Sequence, residues 1–280
     1  MKVGFHISIH GSIDASVDRA SELGCSTFQI FTRNPRQWQS TELDPQVARA
    51  FAEKKKTHGI EPVFAHMPYL PNLASPREEI YIKSVKTLTS ELKRCRMLEI
   101  PYLVTHLGSH LGAGIEKGFA NLNNGINQAL KDTEDGVVLL LENTAGTRNS
   151  MGSTLEDLQH IIEQLDYPER VGVCFDTSHA FAAGYDLRTE NAVQATLRNI
   201  DSTIGFEKLK LVHLNDSKGD LNSRIDRHEH IGLGKIGDEG FRSILESRLG
   251  ELPLIMETPR DAKRDDVGNM EKVKELAVGL

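Results

Sequence analysis

The sequence predicts an α/β protein folded as a single closed (β/α)8 barrel. Three observations carry this. Eight short apolar runs alternate with eight longer segments of helical character, the pattern of parallel strands joined by crossover helices. Eight matched units within 280 residues suit a closed barrel better than an open doubly wound sheet. Polar side chains recur at the ends of the later runs, about one strand–helix unit apart.

In chain order the strand-like runs are KVGFHIS (2–8), FQIFT (28–32), EPVFAH (61–66), YLVTHLG (102–108), VVLLLEN (137–143), VGVCFDT (171–177), LKLVHLND (209–216) and LPLIMET (252–258). All are rich in Val, Ile, Leu and Phe, which fit a pleated, buried surface. The helical segments are 14–23, 45–58, 76–97, 115–131, 154–165, 190–203, 238–249 and 261–276. Pro45 opens the second and Gly59 follows it, the usual asymmetry of helix ends. No linker, low-complexity tract or composition shift interrupts the chain, so residues 1–280 read as one domain.

Hydrophobic residues make up 39% of the chain, enough for a substantial core. No run approaches the ~20 apolar residues of a membrane helix. The N-terminus, MKVGFHIS, enters a strand pattern directly and lacks the regions of a signal peptide. Cys25, Cys95 and Cys174 are odd in number and widely spaced. They form neither a disulfide framework nor a CxxC site, which points to a reducing, cytoplasmic setting. The net charge of -7 argues mildly against a nucleic-acid partner unless bound divalent cations belong in the sum.

His66, His106, Glu142, Asp176, His213 and Glu257 fall at or near the ends of the third to eighth strands, separated by 40, 36, 34, 37 and 44 residues. A barrel places all six on its C-terminal rim, where barrel enzymes keep their chemistry. Val138 and Leu140 share parity with Glu142, Gly172 and Cys174 with Asp176, and Leu209 and Leu211 with His213. Alternate strand residues point the same way, so these polar groups cap apolar columns and point into the barrel. Carboxylates and imidazoles buried without partners would be costly. Divalent metal ions satisfy them together, zinc first and then manganese or iron.

Two loop segments add ligands. In FDTSHAF, His179 follows Asp176 by three residues; in RIDRHEHIGLG, Asp226 and His228 are two apart and face one way in an extended loop. With His179 they can complete a further site. Nine candidate ligands suit a cluster of two or three metals, which can activate water and clamp both oxygens of an in-line phosphoryl displacement. On the same parity argument Arg227 and Glu229 face solvent or a nucleic acid, and the following glycines turn the chain toward the next helix.

These residues and their motifs resemble the endonuclease IV family of apurinic/apyrimidinic endonucleases, TIM barrels of the xylose isomerase type that act in DNA base excision repair. FTRNPRQW (31–38), HMPYLPNLASP (66–76), HLGSH (106–110), LENTAG (141–146), VGVCFDTSHAFAAGYDL (171–187), VHLNDSK (212–218) and RIDRHEHIGLGKIG (224–237) follow the family's order and spacing over nearly the whole chain. The resemblance implies three zinc ions. His66 and His106 would bind the first, Glu142 would bridge first and second, Asp176, His213 and Glu257 would complete the second, and His179, Asp226 and His228 would hold the third. It also implies that Arg36 and Tyr69 wedge into duplex DNA at the lesion, turning the abasic sugar toward the metals. The implied reaction hydrolyses the phosphodiester 5′ to an abasic site, giving 3′-hydroxyl and 5′-deoxyribose phosphate ends, with removal of 3′-blocking groups alongside. Glu142 and Glu257 are the catalytic carboxylates in that scheme, Glu257 orienting the nucleophile. No exposed apolar stripe stands out in the sequence, so a monomer is expected. Leu107 and the pair Met67-Pro68 depart from some members, and none of them is a ligand.

Arg33, Arg36, Lys218, Arg224 and Arg227 are rim candidates for phosphate contacts, with Arg33 and Lys218 read individually as solvated charges. Trp38 reads as loop packing, Cys174 as a core filler, and His58 and His160 as exposed helix residues. His6 and His110 either orient ligands or are satisfied in the core. His230 is left out of the ligand set. Gly232-Leu-Gly-Lys-Ile-Gly237 matches GxGxxG but follows no strand directly, so a dinucleotide site is rejected. A sugar isomerase or epimerase on the same barrel is the alternative enzyme, and it gives no use to His179, Asp226 and His228 together. A damage-binding protein with structural zinc is disfavoured because such sites are usually closed and Cys-rich.

Overall fold

The computed structural model describes residues 1–278. The strands are β1 (Val3–Ile7), β2 (Phe28–Phe31), β3 (Val63–His66), β4 (Tyr102–Thr105), β5 (Val138–Glu142), β6 (Val171–Asp176), β7 (Leu209–His213), β8 (Asp216–Ser217), β9 (His228–Glu229) and β10 (Leu254–Met256). The helices are α1 (Ala15–Glu22), α2 (Pro45–His58), α3 (Glu78–Met97), α4 (Ile115–Lys131), α5 (Leu155–Glu163), α6 (Thr177–Ala183), α7 (Glu190–Thr203), α8 (Gly237–Glu246) and α9 (Asp266–Leu276). Strands β1 to β7 run in sequence around a closed parallel barrel, and β10 closes it between β7 and β1. Strands β8 and β9 form a separate antiparallel ribbon.

Strand parity builds the site from below. Phe64, Val104, Leu140, Cys174, Leu211 and Ile255 form one buried cluster. Each precedes by two residues one of His66, His106, Glu142, Asp176, His213 and Glu257. The apolar layer inside the barrel is thus the floor on which the six polar groups stand. A second, larger core lies between the strands and the surrounding helices.

Helix ends follow the local chemistry. Asp44 caps α2 by accepting from the Gln46 amide at 2.8 Å, and Gly59 ends it with φ +66°, a left-handed geometry that glycine takes without strain. Thr154 and Asp157 form a reciprocal capping box on α5.

Three of the boundaries that differ from expectation have a local cause. The seven residues after β6 form helix α6 rather than a loop. They show no amphipathic period because Thr177 to Ala182 are all buried. The seventh strand ends at His213, and Asp216 and Ser217 belong to the ribbon with β9. Helix α9 begins at Asp266 rather than 261, because Asp265 caps it by accepting from the Gly268 amide at 2.8 Å. Asp261 is instead drawn to His230, 3.0 Å away.

Candidate metal centre

Glu142 sits fully buried at the end of β5, its two oxygens facing different histidines. Oε2 lies 3.1 Å from Nε2 of His66 and 3.1 Å from Nε2 of His106. Oε1 lies 3.2 Å from Nδ1 of His213 and 3.3 Å from Nδ1 of His179. Asp176 is shared in the same way. Its Oδ1 accepts from the His179 amide at 2.7 Å and so caps α6. Its Oδ2 faces Nδ1 of His213 at 3.8 Å and Nε2 of His228 at 3.6 Å.

The ligand atoms converge in three groups: His66, His106 and Glu142; Glu142, Asp176, His213 and Glu257; and Asp176, His179 and His228, within 4.8 Å of one another in each. The first two match the expected sets. In the third, Asp176 stands where Asp226 was expected, and Asp226 approaches from the exposed side, its Oδ1 3.0 Å from Nε2 of His179. All nine predicted side chains therefore meet at one end of the barrel.

Three of the histidines are oriented by groups that can only accept, which fixes their protonated nitrogen. Nδ1–H of His66 donates to the Met67 carbonyl at 2.7 Å, that of His179 to the Asn143 carbonyl at 3.0 Å, and that of His228 to the Glu257 carbonyl at 3.1 Å. Nε2 of each is left bare toward the cluster. Nε2 of His228 is buried without a hydrogen-bond partner, a costly state for a polar atom that a metal ion relieves. Bare imidazole nitrogens and carboxylate oxygens are the donor set of zinc and related divalent ions, so the residues present fit such ions.

Electrostatics agrees with that fit. Burial alone would push the Glu142 carboxyl up, but His106 and His213 outweigh it and hold it well below the usual carboxylate range. Burial likewise opposes ionisation of Glu257, and His213 with His6 overcomes it. The positive partners that do so are protonated imidazoles: against the effect of burial, neighbouring negative groups draw His213 and His179 well above the usual imidazole range. Divalent ions bound there would take the place of those protons.

Several groups that build the site were missed in the sequence. Gln29 of β2 is fully buried against His213 and Glu257. Asn143 grips the backbone of Asp176 through both side-chain ends, at 2.7 and 3.1 Å. Asn215 donates to Oδ2 of Asp176 and accepts from the Glu257 amide, both at 2.8 Å. The available signal was a neutral amide inside or directly after an apolar strand. His6 does orient a ligand, with Nδ1 3.2 Å from Oε1 of Glu257. His110 instead accepts from the amides of Gly112 and Gly114.

A cavity of about 1000 Å³ opens over the cluster, with His66, His106, His179, Asp226, His228, Glu257, Arg36 and Tyr69 on its walls. Among known proteins, the family described as xylose isomerase-like TIM barrel matches residues 17–277. A relative from Methanoculleus marisnigri, named probable endonuclease 4, is 58% identical over 277 residues, covering 98% of both chains. The crystal structure of endonuclease IV from Thermus thermophilus superposes with a TM-score of 0.88 at 34% identity, covering 99% of this chain and 98% of that one. The chain belongs to the endonuclease IV family. A D-tagatose 3-epimerase-like protein shares the barrel with a TM-score of 0.75 at 23% identity, covering 99% of this chain and 97% of that one, which is a likeness of fold alone.

The rim of this endonuclease IV barrel carries both exposed and buried side chains. Tyr69 is 63% exposed and packs edge-on against Phe31, ring centroids 5.0 Å apart. Its amide donates to the Pro35 carbonyl at 3.0 Å, which ties the loop of Tyr69 to that of Arg36. Arg36, Lys218, Arg224 and Arg227 are exposed. Arg33 is not a rim or solvated charge. It is buried with Nε 2.9 Å from Oε1 of Glu91, an ion pair that is not an aligned hydrogen bond. Arg94 joins the network through Thr32, and together they anchor the segment that leads to Arg36. Trp38 lies beneath the Lys83 ammonium, 5.8 Å from its ring centre.

The 224–237 segment departs from expectation at one residue. Glu229 does not face solvent or nucleic acid; it is buried and paired with Lys263 at 2.6 Å. The ribbon pairing of β9 with β8 turns it inward. His230 is structural, held by Asp261 and by Asn269 at 2.9 Å. The GxGxxG glycines do form an anion-binding turn, but its anion is internal. The Asp216 carboxylate accepts from the amides of Ser217, Gly232, Gly234, Ile236 and Gly237 at 2.8 to 3.3 Å. Gly232 and Gly237 have φ of +80° and +72°. A Cβ on Gly234 would stand 2.5 Å from Asp216 Oδ1.

Proposed function

We propose that the protein is a metal-dependent apurinic/apyrimidinic endonuclease that hydrolyses the phosphodiester 5′ to an abasic site in duplex DNA and also removes 3′-blocking groups. The observation that carries the reading is the sharing of Glu142 and Asp176 between neighbouring ligand groups, which makes one continuous cluster beneath an open cavity. Family membership supports it.

The proposed ions are three zinc ions. His66 and His106 would hold the first, with Glu142 shared between it and the second, which Asp176, His213 and Glu257 would complete. His179, Asp226 and His228 would hold the third, with Asp176 close enough to contribute. Bound there, divalent ions supply Lewis acidity to the scissile phosphate and the attacking water. Glu142 fixes the ligand groups on its two sides. Glu257 is held at Oε1 by His6 and Gln29, which directs Oε2 into the ligand group beside His213 and fixes how the carboxylate faces the attacking water. Arg36 and Tyr69, on paired loops at the cavity mouth, enter the duplex and hold the abasic sugar turned toward the cluster. The net charge of -7 is no obstacle, since three divalent ions offset most of it and the exposed arginines lie on the same rim.

The reading extends to a single-domain monomer in the cytoplasm. All three cysteines are free and buried, as a reducing compartment permits. No helix among the described residues is long and apolar enough to cross a membrane.

The proposal is tested with a labelled duplex carrying one abasic analogue. Cleavage at that position, absent from the undamaged duplex, is the expected result; interconversion of sugars without cleavage would favour the epimerase alternative. Arg36→Ala should weaken duplex binding about tenfold and reduce the slope of log affinity against log salt by about 1. Filter-binding titrations at several salt concentrations read both quantities.

A further inference from the structure

Gln29 touches two of the proposed ligands at once from β2, a strand that contributes no ligand of its own. Its Oε1 lies 2.9 Å from Nε2 of His213, and its Nε2 donates to Oε1 of Glu257 at 2.8 Å. One amide orientation serves both contacts, because the Glu257 carboxylate can only accept. His213 must then carry its proton on Nε2 and present a bare Nδ1 to the cluster. That Nδ1 lies 3.2 Å from Glu142, 3.4 Å from Glu257 and 3.8 Å from Asp176. On the other side, Oε1 of Glu257 already has Gln29 and His6 against it. Only Oε2 is left for an ion.

We infer that Gln29 is a positioning residue that selects the His213 tautomer and commits Glu257 to ligation through one oxygen, and so sets the metal affinity of the group formed by Glu142, Asp176, His213 and Glu257. The inference rests on the metal reading of the cluster and deepens it. Groups that orient metal-binding side chains typically govern affinity by about 10–100-fold. The residue type matters in both directions. A methionine fills the same space but partners neither His213 nor Glu257. A glutamate still accepts from His213 but sets a second carboxylate against Glu257, where like charges repel.

The test compares the zinc-loaded wild type with Gln29→Met and Gln29→Glu in competition with a chelator, with folding monitored by circular dichroism. Gln29→Met should release one ion per chain at about 10–100-fold higher free zinc than the wild type, the other ions being little changed. Gln29→Glu should weaken the same ion. Histidine 15N NMR on the loaded wild type and Gln29→Glu should show the His213 proton on Nε2. Folded variants that hold every ion at wild-type affinity would overturn the inference. So would wild-type affinity in Gln29→Glu alone, or a wild-type His213 protonated on Nδ1, a readout that needs no variant to fold. A wild type that binds no zinc at all would instead sink the metal reading on which this one rests.

Discussion

Glu142→Gln is expected to lose metal from two ligand groups at once and to lower abasic-site incision by on the order of 10³-fold or more. The carboxylate is shared, with Oε2 against His66 and His106 and Oε1 against His213 and His179. An amide keeps the volume but replaces one oxygen by a donor. One side of the cluster then meets an N–H where it needs an acceptor. Loss of the ions removes several kcal/mol of charge stabilisation from the transition state, and each ~1.4 kcal/mol is a factor of ten in rate. Metal analysis with single-turnover incision checks this. A variant that keeps full metal content and full rate would show that Glu142 bridges nothing. His66→Ala is the milder counterpart, since it removes a ligand from one group only.

Asp216→Ala should destabilise the fold by at least ~3 kcal/mol, measured by urea unfolding. Its carboxylate is buried and receives five backbone amides. Charge-assisted hydrogen bonds of this kind are the strong ones, and each buried amide left without a partner costs ~1–3 kcal/mol. Water entering the gap recovers part of that loss. The damage is also local to function. Asp216 lies on β8, the strand that pairs with β9 and so carries His228. Weaker zinc retention at the group of Asp176, His179 and His228 should accompany the loss of stability. A destabilisation under ~1 kcal/mol, less than one such unpaired amide, would mean that the turn holds its shape without the carboxylate.

The barrel and most of the site were legible in the sequence because one periodicity governs both. A parallel strand alternates sides, and a polar residue two positions after an inward apolar one must stand on top of it. Leu140 and Glu142, or Leu211 and His213, show this directly. What sequence hid is what periodicity does not report. Helix α6 is buried all round, so it lacks an amphipathic stripe; Asp176 ahead of it and Gly184 behind it, with φ +114°, were the available end signals. Arg33 looked like a solvated charge because its partner, Glu91, lies far along the chain on α3. Glu229 looked exposed because the ribbon that turns it inward pairs residues across a long loop. Gln29, Asn143 and Asn215 are neutral amides, and no spacing marks an amide as the group that aims a ligand.

Nine side chains on one barrel rim are proposed to assemble a metal cluster that cuts DNA beside an abasic site. The decisive test strips the protein of metal, restores zinc in steps and follows incision of a duplex with a single abasic analogue. Incision should return with the bound zinc, saturate near three ions per chain, and leave a 3′-hydroxyl immediately 5′ to the lesion. A fully zinc-loaded protein that leaves the same duplex intact would contradict the claim.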